Sequence, residues 1–150
     1  MDTTELRRVR EYVAWLLLVA VLVLVVAATW QFLDLPGSSD ASLFSTPSFA
    51  ERGEIAVGSL AAIDVTLLLV AAVLLAALAG RPVPTARRVV LTAVVIQAVA
   101  LVLAVIGWAA ALPSSGGWFP LTGAVNLVVA AAGLILSVTV LREPALRKAG

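Results

Sequence analysis

The sequence predicts an all-α integral membrane protein, a bundle of four antiparallel transmembrane helices with both termini cytoplasmic. Three observations carry that prediction. Apolar residues make up 62% of the 150 and charged residues only 13%, with a mean hydropathy of +1.10, whereas soluble domains are roughly half apolar and a quarter charged. Four apolar stretches, 12–32, 55–79, 89–111 and 119–141, each supply the run of about 20 residues that a helix needs to cross the hydrocarbon core. The basic residues between them fall almost entirely on one side. Arg7, Arg8 and Arg10 precede the first stretch, Arg81, Arg87 and Arg88 separate the second from the third, and Arg142, Arg147 and Lys148 follow the fourth, while Arg52 alone lies opposite. Basic residues near span ends are retained on the cytoplasmic side, which sets the orientation.

The first span has the arginines and apolar run of a secretory signal, but its core from Val13 to Ala28 exceeds a usual signal core, and no convincing small-x-small cleavage site precedes Trp30. It reads as an uncleaved signal anchor. Its apolar residues show no polar stripe, so this span is expected to face lipid or a partner helix. Tyr12 and Trp15 mark its inner edge, and Trp30 and Phe32 its outer edge, as interfacial aromatics do.

An outer loop, 33–54, follows. Ser48-Phe49-Ala50-Glu51 has the pattern of a capping box, so the second helix is expected to begin near Ser48, with Pro47 closing the loop. Phe44 and Phe49 are expected to lie in the headgroup region, as interfacial aromatics do, the alternative being a docking surface. An inner link, 80–88, joins the second and third spans. Pro82 and Pro84 prevent the two from merging, and Thr85 reads as the cap of the third. A short outer turn, 112–118, joins the third and fourth, with Trp108, Trp118 and Phe119 at the interface, and Pro120 fits the first turn of the last helix. No room remains for a soluble domain, so 1–150 reads as a single membrane-embedded unit.

Small residues predict how the helices pack. In the third span Ala93, Gln97, Ala100, Ala104, Gly107 and Ala111 recur at spacings of four and three, and in the fourth Gly123, Asn126, Ala130, Gly133, Ser137 and Val140 do the same. Such stripes allow close approach of helix backbones. Each carries one amide side chain.

The polar candidates within the spans are Asp64, Gln97 and Asn126. Asp64 is the only acid inside an apolar stretch. Counting ~1.5 Å per residue from the outer boundaries puts Asp64 about 13 Å deep, Asn126 about 11 Å and Gln97 nearer 20 Å. Asp64 and Asn126 are therefore expected to meet, with Gln97 bonded to a backbone carbonyl or to water. An ionised Asp at mid-membrane costs roughly 2.5 to 3.5 kcal/mol, and an interhelical hydrogen bond returns about 0.6. Asp64 must then be protonated, face a hydrated cavity, or meet a cation from another subunit.

The chain has no cysteine and no histidine. That excludes thiolate chemistry, His-ligated haem and most zinc or copper sites. No phosphate-binding glycine loop, nucleophile elbow or catalytic acid pair is present, and no cofactor is expected. The basic residues lack the aromatic interleaving of a nucleic-acid surface. The expectation is a non-catalytic protein, an accessory subunit or self-associating scaffold, whose partners are the bilayer and either another membrane protein or a second copy. The alternative is a small oligomeric proton-coupled transporter or channel using Asp64. Arginine far outnumbers lysine, which suits a GC-rich bacterial genome, and the four helical spans then place the chain in the inner (plasma) membrane as a multi-pass protein.

Overall fold

The computed structural model describes residues 3–33, 48–77, 85–113 and 115–143. Among them all regular structure is helical: α1 (Thr3–Leu33), α2 (Phe49–Leu60), α3 (Ile63–Ala77), α4 (Ala86–Ala111) and α5 (Phe119–Leu141). Together these form four spans long and apolar enough to cross a membrane, with α2 and α3 making one of them, Phe49–Ala77. Phe44, the loop-closing Pro47, the link prolines Pro82 and Pro84, and the basic residues Arg81, Arg147 and Lys148 lie outside the described residues.

The span containing α2 and α3 and the span formed by α4 pack against each other at the centre, while α1 and α5 each rest on both of them. A single α1 stripe is buried, running through Ala14, Leu18, Val21, Val25, Ala28 and Phe32. Its alternating spacing of four and three is that of a knobs-into-holes seam. The sequence hides this stripe because every face of α1 is apolar. The least buried span is instead α5, with 22% of its apolar stretch covered, against 28% for α1 and 50% for the second span.

The capping box forms at the start of α2. Ser48 Oγ accepts from the Glu51 amide at 3.2 Å, and the Ser48 amide donates to Glu51 Oε2 at 2.6 Å. Helix therefore begins inside the stretch expected as outer loop 33–54. Phe49 stacks obliquely on Phe32 with ring centroids 5.3 Å apart, and the Arg52 guanidinium lies 5.8 Å from the Phe49 ring centroid. These contacts tie the end of α1 to the start of α2.

At the opposite end, α1 reaches across to α3 and α4. Arg10 donates through Nε and Nη2 to the carbonyl of Leu75, at 3.1 and 2.6 Å. Leu75 lies in the last turn of α3, where carbonyls lack intrahelical partners and the helix dipole favours a cation. The Thr85 hydroxyl donates to Glu11 Oε1 at 2.6 Å and makes no cap bond to its own helix. Thr85 thus fastens α4 to α1 instead of capping α4 through its side chain.

Two glycines bring the central spans into backbone contact. A Cβ built on Gly53 would collide with the carbonyl oxygen of Gly107, and one on Gly107 would lie 3.1 Å from the carbonyl oxygen of Gly53. Gly107 belongs to the stripe expected from the sequence; Gly53, among the charged residues that open α2, does not. In the turn after α4, Ser115 N bonds to the Ala111 carbonyl at 2.8 Å, and Gly117 takes a φ of 65°, a conformation in which a Cβ is strained.

Candidate functional site

The second span is not one helix. Its backbone departs from α-geometry at Ala61, with φ −102° and ψ 16°. The ladder persists to Ala61 N–H with Val57 O, at 3.2 Å, and resumes with Thr66 N–H to Ala62 O, at 3.1 Å. Two residues that favour such a departure, Gly58 and Ser59, lie just upstream. Glycine weakens a helix interior, and the Ser59 hydroxyl donates back to the Ile55 carbonyl at 2.9 Å, a contact that bends helices.

The interruption changes which residues face inward. Before it, Gly53, Ala56, Val57 and Leu60 are buried; after it, Val65, Thr66, Leu69, Ala72, Val73 and Ala76 are. An unbroken helix would carry the buried face from Gly53 through Val57 and Leu60 to Asp64, at steps of four and three. The break advances the phase by more than one residue, and Asp64 emerges on the exposed face with Ile63 and Leu67.

Asp64 therefore does not meet Asn126. Asn126 is half-buried, and among the described residues neither side chain has a hydrogen-bond partner. The expectation that they join assumed a continuous second span, and the break removes its geometric basis. Asp64 lies in the first turn of α3, where the helix dipole favours a negative charge by about 0.3 to 1 kcal/mol. That offsets only part of the roughly 2.5 to 3.5 kcal/mol that the ionised group costs at mid-membrane.

Gln97 is buried, and its Oε1 accepts from the Ser137 hydroxyl at 3.0 Å; the same hydroxyl lies 3.0 Å from the Gly133 carbonyl. The partner expected for Gln97, a backbone carbonyl or water, is thus replaced by a side chain of the neighbouring stripe. Gln97 Nε2 is buried without a partner among the described residues. A Cβ on Gly133 would lie 2.6 Å from Thr66 Cγ2 and 2.9 Å from Gln97 Nε2. The bare backbone of Gly133 therefore admits both side chains at the junction of α3, α4 and α5. Thr66, buried beside it, was not singled out by the sequence because threonine is common in membrane helices.

The rest of the two stripes is inward. Ala93, Ala100, Ala104, Gly107 and Ala111 of α4 are buried, as are Gly123, Ala130, Gly133, Ser137 and Val140 of α5. Gly123 lies under the Trp108 indole, whose Nε1 donates to the Pro120 carbonyl at 3.3 Å.

Compared with protein-family models, curated proteins and solved structures, the chain has no match in any of the three.

Proposed function

We propose that this protein is a non-catalytic subunit or scaffold of a larger membrane assembly. It sits in a bacterial inner membrane as an antiparallel four-span bundle with both termini cytoplasmic. One observation carries the reading: Asp64 is exposed, and without a hydrogen-bond partner among the described residues, near the middle of the 29-residue apolar span Phe49–Ala77. Within lipid, that carboxylate is compensated by nothing among the described residues, so a partner in the assembled protein covers it. The placement of arginines supports the orientation, with the Arg10–Leu75 latch at the cytoplasmic end.

A second reading has its own support. Transporters build sites from helices interrupted near mid-membrane, and the break beside Asp64 has that form. In this reading the chain works as an oligomer in which Asp64 exchanges protons.

Purification from native membranes in mild detergent, with the mass and composition of the particle determined, tests the first reading. The expected result is co-purification with other membrane proteins at fixed stoichiometry. A particle containing only this chain refutes it and favours the transporter, for which Asp64→Asn should abolish proton-coupled uptake in vesicles without altering assembly.

A further inference from the structure

The uncovered face of the second span runs through Ile55, Gly58, Asp64, Leu67 and Leu74, all exposed. Because α1, α4 and α5 all pack on this span, and α4 also touches both α1 and α5, the uncovered strip lies on the side away from α4, between α1 and α5. A Cβ on Gly58 would meet nothing within 4 Å, so the strip is shallow on the side of Asp64 nearer the start of α2. Ala62, half-buried one turn beyond Gly58, continues that low relief toward the carboxylate.

Charge decides what fits there. The basic residues of this chain lie at positions 7, 8, 10, 52, 81, 87, 88, 142, 147 and 148. In the same span the nearest is Arg52, about 18 Å along a helix from Asp64 at ~1.5 Å per residue. A second copy would bring no cation to the level of Asp64; near mid-span it would bring another carboxylate. An acid within a membrane pairs with a basic group or with another polar group at its own depth.

We infer that the strip between α1 and α5 receives a transmembrane helix of a different protein, one that carries a lysine or arginine near mid-span to pair with Asp64. The low relief at Gly58 and Ala62 accommodates the long basic stem beside the carboxylate. This rests on the accessory-subunit reading and specifies the partner's chemistry.

The test uses the full chain in phosphatidylcholine vesicles. A donor dye is placed on Gly116→Cys, in the exposed turn, where a new side chain has open space and no other cysteine competes. Acceptor-labelled single-span Leu/Ala host helices carry Lys, Leu or Glu at their centre. The expected result is energy transfer to the Lys host at a concentration at least about tenfold lower than to the Leu host, with the Glu host no better than the Leu host. Asp64→Asn and Asp64→Ala should each bring the Lys host to the Leu level, and Gly58→Leu should weaken it. Equal binding of the Lys and Leu hosts to the unsubstituted face overturns the inference without any reliance on a variant's folding. Survival of the Lys preference in Asp64→Asn overturns it as well. The native particle separates the two levels of the argument. A stoichiometric partner with no basic residue near mid-span defeats this inference and leaves the accessory-subunit reading standing, whereas a particle of this chain alone defeats both.

Discussion

Three glycines in the central pair of spans should respond very differently to the same one-carbon substitution. At Gly53 the new methyl would collide with the Gly107 carbonyl oxygen and lie 3.2 Å from its carbonyl carbon. Those are backbone atoms of a packed helix, so relief requires the two spans to separate. Overpacking costs about 1 to 3 kcal/mol, and the helix-propensity gain of Gly→Ala returns roughly 0.5 to 1 kcal/mol. With an overpacking cost near the upper end of that range, less the propensity gain, Gly53→Ala should lose about 2 kcal/mol. At Gly107 the methyl would lie 3.1 Å from the Gly53 carbonyl oxygen and 3.4 Å from Ala56 Cβ, a crowding that a shift of a few tenths of an ångström relieves. Gly107→Ala should be destabilising by no more than about 1 kcal/mol. Gly58→Ala meets no neighbour within 4 Å and should be neutral or stabilising by up to about 1 kcal/mol. Unfolding by sodium dodecyl sulfate, followed by circular dichroism on the purified chain, ranks the three. If Gly53→Ala unfolds at the same detergent fraction as Gly58→Ala, the close crossing of α2 and α4 is wrong.

Gly133→Ala should lose about 1 to 3 kcal/mol in the same assay. Adding Thr66→Ser, which removes the obstructing Cγ2, should recover part of the loss as a measurable coupling. Gly123→Ala should displace the Trp108 indole and break its bond to Pro120, at a cost of about 1 kcal/mol. Fluorescence in a background with the other three tryptophans replaced by phenylalanine should shift, and an unchanged spectrum would contradict the packing of α4 on α5. Arg10→Ala should cost about 1 kcal/mol and let the end of α3 fray, read as faster amide exchange over 72–77 than over the start of α3.

Much of the architecture was legible in the residues because lipid leaves a chain few options. Without water to satisfy backbone groups, apolar stretches of this length form helices, and all four spans follow from hydropathy alone. The capping box at Ser48 and Glu51 was also readable, since its bonds join residues three apart. The stripes of α4 and α5 stood out because small and polar residues contrast with the leucines and valines around them. In α1 no such contrast exists, and its seam from Ala14 to Phe32 emerges only from which face the neighbouring helices cover.

What the sequence by itself determined is the class of molecule, its spans, and the presence of one acid deep within one of them. The three-dimensional arrangement decided which way that acid faces. Periodicity counted along an unbroken helix sends Asp64 inward with Gly53, Val57 and Leu60, but the interruption at Ala61 resets the phase and turns it outward. A phase change of one or two residues leaves hydropathy untouched and reverses the face on which a side chain lies. It depends on which carbonyls and amides remain paired, and that is settled only when α3 packs between its neighbours.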